Sequence, residues 1–143
     1  MSRRKSRIIA FQALYSYDAS ATSLDNLLEF SWIDRKELTT EEDKSKSEEE
    51  LTYAKFLICG TIENLSTIDN LIKSHLSENW DFSRLNKVTL AILRLSIYSL
   101  LFQSEVPKSI VIDEAISISK EFGVDDSFKF VNAVLDKISK EQN

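Results

Sequence analysis

Two glycines and one proline in 143 residues leave this chain few ways to turn tightly. A sandwich or barrel needs turn residues about every 8–12 positions, so an all-β fold is excluded and the apolar pattern has to be met by helices. The same scarcity removes the glycine-rich loops that cradle phosphates. Neither a dinucleotide fingerprint nor a Walker sequence is present, and no internal repeat is visible. A chain of this length fits one domain, here 1–143, able to bury roughly two thirds of its unfolded surface without staples.

Apolar spacing predicts six or seven helices and no strand. The first runs over about 2–18, with Ile8, Phe11 and Tyr15 at intervals of three and four. Ser23 caps a short second helix with Leu24, Leu27, Leu28 and Phe30 as its apolar contacts. Residues 34–47 are dense in Glu, Lys, Ser and Thr and are expected to form an acidic mobile loop. Ser47 with Glu50 reads as a capping box opening a helix that buries Leu51, Ala54, Ile58, Ile62 and Leu65. The next stripe is Ile68, Leu71, Ile72 and Leu76. Ser83 is expected to cap the longest apolar helix, reaching about 103. Leu85, Val88, Ile92 and Leu95 line one face, and Leu90, Leu93, Ile97 and Leu101 another. A helix apolar on two faces is central. Arg94 lies within it and must pair with an acid or reach outward. Ser109 opens a further helix that ends at Phe122, with Gly123 as its C′ residue. Asp125 or Asp126 caps the last, which buries Phe128, Val131, Leu135 and Ile138. The sum is an all-α, compact single-domain bundle with short connections.

Side-chain chemistry excludes most catalysis. Cys59 is the only cysteine, so no internal disulfide can form, and it reads as a small core residue because no base is spaced to activate it. His75 is the only histidine; a metal site or a triad needs partners that no spacing supplies. Acidic pairs such as Asp113 with Glu114 fall at helix starts, where they suit the dipole. No enzyme and no cofactor is expected. There is no apolar run of membrane-spanning length and no signal-peptide pattern, so a cytoplasmic protein is expected.

Charge is distributed unevenly. Arg3, Arg4, Lys5 and Arg7 fall within the first seven residues, where no acid occurs; all 23 Asp and Glu lie beyond them. A basic arm, 1–7, on an acidic body points to a polyanion or to a frayed, solubilising terminus. Arg4 stands four before Ile8 and Arg7 four before Phe11, so a continuous helix would aim both along its buried face. An unpaired charge cannot be buried there, so the first turns are expected to overhang the body.

The C-terminal third adds a family resemblance. Val106-Pro107, Asp113-Glu114-Ala115, Phe122-Gly123 and Lys129-Phe130-Val131-Asn132 resemble the NusB family of bacterial transcription antitermination factors. The run from Ala91 to Tyr98 is similar to that family's central helix, and Arg7 with Gln12 to Tyr15 to its arginine-rich start. The sequence departs from the family pattern at Phe128, Ala133 and Thr89, where histidine, glycine and an acid are common.

The resemblance implies an all-helical, non-catalytic protein that binds single-stranded boxA RNA with the small-subunit ribosomal protein NusE. It implies action with NusA, NusG and RNA polymerase, notably in ribosomal RNA operons. Carried over, the RNA surface comprises Arg3, Arg4, Lys5, Arg7, Gln12, Tyr15, Phe122, Asp126 and Phe130. Exposed residues near Asn86 and Thr89 would meet NusE. Four cations on phosphates give a log–log salt slope of about 3, and aromatic rings stack on unpaired bases. Asp126 is either a helix cap or an acceptor for a base amino group. Phe122, Phe130 and Tyr15 each have a core reading beside the stacking one. The alternative is a NusB-like protein-binding adaptor or an accessory module of an rRNA-processing machine. Monomer and homodimer are both compatible with the sequence.

Overall fold

Leu93, Leu95 and Ile97 are sealed from solvent on successive faces of one helix, α5 (Lys87–Phe102), and the other long helices pack around it. The computed structural model describes residues 2–78 and 80–142; Met1 of the expected arm and Asn143 lie outside them. In order, the chain forms α1 (Arg3–Ala19), α2 (Leu24–Leu28), α3 (Glu41–Glu63) and α4 (Leu65–Ser74). A 3-10 turn (Phe82–Arg84), α5, α6 (Lys108–Phe122) and α7 (Ser127–Glu141) follow. There is no strand among the described residues, as the scarcity of turn residues required. α1 lies against α3 and α5, and α6 and α7 pack on each other and on α5.

α5 starts later than its apolar pattern suggested. Ser83 sits in the 3-10 turn, and Asn86 is the cap: its Oδ1 accepts from the backbone N–H of Val88 at 2.9 Å and of Thr89 at 3.2 Å. Arg94 is 6% exposed and pairs with acids, one of its two expected outcomes. Its Nε and Nη2 donate to the two carboxylate oxygens of Asp69 at 2.9 and 2.8 Å, and Nη1 lies 3.5 Å from Asp18. Burial alone would lower the guanidinium's pKa; Asp69 and Asp18 outweigh it and raise it. One side chain thus ties α5 to α4 and α1.

The acidic segment differs from expectation. The connection ends at Thr40, and residues 41–47 are the first two turns of α3 rather than loop. Local terms account for this. Thr40 Oγ1 accepts from Asp43 N at 3.0 Å, and Glu41, Glu42 and Asp43 occupy the first turn, where the dipole favours acids. Lys46 reaches Glu42 at 3.2 Å one turn away. Ser47 is therefore interior to the helix. Glu50, expected to cap it, is 8% exposed and instead accepts the backbone N–H of Ser2 at 3.2 Å.

That contact also changes the basic arm. α1 is helical from Arg3, with Ser2 Oγ accepting from Lys5 N, and Ser6 Oγ donates to the Glu50 carbonyl at 2.9 Å. The first turns are docked on α3, not overhanging. Arg7 does point along the buried face, as the spacing implied, but it is paired. It is 3% exposed; Nη1 donates to Ser99 Oγ at 2.8 Å, and Nε lies 2.7 Å from Glu114 Oε2. The latter is an ion pair by distance, although the N–H is not directed along the line to the oxygen. Burial pulls the guanidinium below its ordinary pKa, and Glu114 opposes that shift. Ser99 in turn donates to Gln103 Oε1, and Gln103 Nε2 donates to Tyr53 OH. α1, α3, α5 and α6 thus share one buried polar network.

Candidate nucleic-acid interface

The N-terminal half of α1 and the C-terminal end of α6 lie side by side. Arg4 Nη2 donates to Glu121 Oε2 at 2.5 Å, and the Phe11 and Phe122 rings are 5.4 Å apart and tilted by 49°. The cationic start of the chain therefore borders the turn between α6 and α7. Arg3 and Lys5 are exposed, and neither makes an ion pair among the described residues. Arg4 is half exposed and shares its charge with Glu121. Arg7 is enclosed and faces no solvent, so three of the four expected cations, not four, reach the surface.

Beside them opens a cleft of about 420 Å³. Phe11 forms its base. Gln12, Tyr15 and Ser16 come from α1, Phe122 from α6, Val88 from α5, and Trp32 from the connection after α2. Tyr15, Trp32 and Phe122 are 37%, 41% and 36% exposed, so three rings present area to a ligand while their other sides pack. No charged side chain lines the cleft. Such a site suits a planar, partly polar group: rings offer stacking surfaces and Gln12 offers both donor and acceptor.

Trp32 was not visible from the sequence because it stands outside any helical stripe. Two contacts hold it: its Nε1 donates to Leu27 O at 3.1 Å, and its ring lies 6.2 Å from Phe30. Phe30 itself adopts φ 55°, an uncommon left-handed conformation for a bulky residue, which reverses the chain after α2 and aims Trp32 at α1. A short apolar cluster just past the second helix, Phe30-Ser31-Trp32-Ile33, is the only signal that could have marked it.

The α6–α7 turn is built around two positions. A Cβ on Gly123 would come 2.6 Å from Ser119 O and 2.5 Å from Ser127 Oγ, which excludes any side chain without movement. Its φ is −84°, so the left-handed C′ role expected for it is not used; the requirement is space. Asp126 takes the left-handed conformation instead, at φ 63°. It precedes α7 but its side chain makes no capping bond. The carboxylate is 74% exposed, with Lys129 Nζ at 3.7 Å. A left-handed backbone position holding an exposed carboxylate outward is a feature of binding turns.

Phe130 is not gathered into the cleft. It is half-buried against the core and stacks on Trp80, centroids 5.9 Å apart. Of the two positions expected to meet a protein partner, Asn86 is exposed but engaged as the α5 cap. Thr89 is 5% exposed, because α5 is enclosed from its first turn, and it cannot present a contact surface. Val88, between them, is the residue of that turn that reaches the cleft. His75 joins two helices: Nε2 lies 3.0 Å from Glu141. Among the described residues no group of His, Cys, Asp and Glu is placed to hold a metal ion, and no helix is long and apolar enough to cross a membrane.

Comparison with known proteins finds likeness over nearly the whole chain. The NusB family model matches residues 4–140. A Treponema pallidum protein described as transcription antitermination protein NusB is 49% identical over 140 residues, covering 98% of this chain and 94% of that protein. The Thermotoga maritima NusB crystal structure is similar at a TM-score of 0.79 with 38% identity, covering 99% of this chain and 93% of that one. A crystal structure of antitermination factors NusB and NusE in complex with dsRNA gives 0.76 and 26% identity, over 97% of this chain and 96% of that one.

Proposed function

The chain belongs to the NusB family, and from that premise we propose that it is a transcription antitermination factor binding single-stranded boxA RNA together with the ribosomal protein NusE. In this reading the whole chain, 1–143, works as one RNA-binding domain in the cytoplasm. It acts beside NusA, NusG and RNA polymerase, notably in ribosomal RNA operons, and it carries out no catalytic step.

The observation that carries the reading is the juxtaposition of surface cations with exposed rings around one cleft. Arg3, Arg4 and Lys5 neutralise phosphates; Tyr15, Trp32 and Phe122 stack on bases, and Gln12 meets a base edge. Asp126 repels phosphate, so its use is to accept from a base amino group, which selects sequence. Phe130, with Trp80, offers a second stacking surface. Arg7 acts indirectly, by fixing α1. The Asn86–Val88 end of the cleft faces NusE, so protein and RNA meet along one edge. The related complex holds NusE and dsRNA; for this chain a single strand is proposed because exposed rings stack only on unpaired bases.

The test is RNA binding by the full chain over a salt series, with boxA-containing and scrambled single strands, each with and without NusE. With NusE present, boxA RNA binds more tightly than the scrambled strand, with a log–log salt slope of about −2 for three cations at roughly 0.7 each. Equal affinity for the two RNAs in the presence of NusE would overturn the proposal and leave a protein-binding adaptor.

A further inference from the structure

Of the three arm cations that reach the surface, Arg4 alone makes an ion pair among the described residues. Its Nη2 donates to Glu121 Oε2 at 2.5 Å, and the two side chains are 42% and 51% exposed. Nη1, the other terminal nitrogen, is enclosed and meets no acceptor among the described residues. Glu121 thus holds Arg4 through one bond, not through the two-pronged fork that makes an arginine–carboxylate pair strong. Glu121 also stands immediately before Phe122, whose ring lines the cleft. A strand that stacks on Phe122 therefore brings its phosphates up to this pair.

A carboxylate and a phosphate make the same demand on a guanidinium. A phosphodiester presents its non-bridging oxygens side by side, so it can complete the fork that Glu121 leaves incomplete and give Nη1 an acceptor. Exchange of one partner for the other is easy, because a half-exposed pair is weak. It still carries a penalty. Arg4 cannot serve Glu121 and a phosphate with full charge on each, and the released carboxylate repels the backbone that displaced it. Glu121 therefore subtracts from phosphate affinity whatever the sequence of the RNA. Phosphate contacts carry no base information, so an acid that weakens them leaves the rings, Gln12 and Asp126 to decide which RNA is retained.

We propose that Glu121 is a competitor for RNA built into the site: it occupies Arg4 in the free protein and is displaced by a backbone phosphate in the complex. The inference rests on the RNA-binding reading above and adds to it a residue that acts against binding. Glu121 is not a contact for RNA; it works through Arg4, by setting how much of that charge a phosphate can claim.

The test measures binding of boxA-containing and scrambled single strands, with NusE present, by the full chain and by Glu121→Gln, Arg4→Ala and the double variant. Glutamine keeps the size of the side chain and an acceptor oxygen but removes the charge. Glu121→Gln is expected to bind both RNAs about three- to fivefold more tightly near 0.1 M salt, the range of a half-exposed pair, with a gain that fades as salt rises. In the Arg4→Ala background the same substitution is expected to gain less than about twofold, since no cation is left to release. Its melting temperature is expected to move by less than about 4 °C, so the gain is not one of folding. Unchanged or weaker binding by Glu121→Gln, with boxA still preferred by the unsubstituted chain, would overturn the inference and leave the function standing. An equal gain in the Arg4→Ala background would also overturn it, by tracing the effect to net charge rather than to this pair. No preference for boxA in the unsubstituted chain would overturn both.

Discussion

Replacing Glu114 with alanine lowers the free energy of unfolding by about 3–5 kcal/mol, because it strands a buried charge. Arg7 is 3% exposed, and among the described residues Glu114 is the one carboxylate paired with it. Ser99 would still accept one hydrogen bond, but a hydroxyl does not neutralise a guanidinium. Arg7→Ala costs a similar amount for a different reason. Glu114 keeps some solvent, at 23% exposure, but the aliphatic stem of Arg7 is lost from between α1 and α5, and the Ser99–Gln103–Tyr53 chain loses its first donor. Replacing both residues with apolar side chains of matching volume costs less than either single change. Urea unfolding of the three variants checks this. Losses below about 1 kcal/mol for both single variants would mean that the pair is not held as described. A further consequence is that Arg7 variants report on folding and cannot serve as tests of phosphate contact.

The triple variant Arg3→Ala, Arg4→Ala, Lys5→Ala binds boxA RNA about 100-fold more weakly near 0.1 M salt, and the log–log salt slope shrinks by about 2. The two figures are one effect: three cations released at roughly 0.7 each lose about two decades between 1 M and 0.1 M. Stability changes little, since Arg3 and Lys5 are exposed and the Arg4–Glu121 pair is half solvated, worth no more than about 1 kcal/mol. Filter binding across salt, with thermal melting alongside, separates the two contributions. An unchanged slope would remove the arm from the phosphate surface.

The helices were largely legible because each rests on its own apolar stripe. α5 could be recognised as central because its apolar residues face two ways, and Arg94 had to find an acid because nothing else at its position can hold a charge. The limits arose where local and long-range terms compete. Residues 41–47 have no apolar stripe, so their helicity depends on Thr40, the first-turn acids and pairs one turn apart, which composition alone reads as a solvated loop. Arg7 stood at a buried spacing with no visible partner. Glu114 lies 107 positions later in the chain, and nothing local announces the pair. Thr89 is marked as a partner contact only by the family resemblance, and enclosure of α5 from its first turn buries it. For the candidate site, the sequence, through the family resemblance, named Arg4, Gln12, Tyr15 and Phe122 but not the contacts that bring them together. Glu121, Phe11 and Trp32 join them only through the approach of α1 to α6 and the reversal at Phe30.

If the start of α1 and the end of α6 form one RNA face, bound RNA lies within reach of both and away from the exposed rings of α3 and the end of α5. Photocrosslinking of 4-thiouridine boxA RNA to the chain–NusE complex, with the crosslinked peptides sequenced, tests it most directly. The account predicts crosslinks in two groups, within residues 3–16 and within 122–130, with Trp32 as a third point. Crosslinks confined to Tyr53, Phe56 and Phe102, with none in either group, would contradict it.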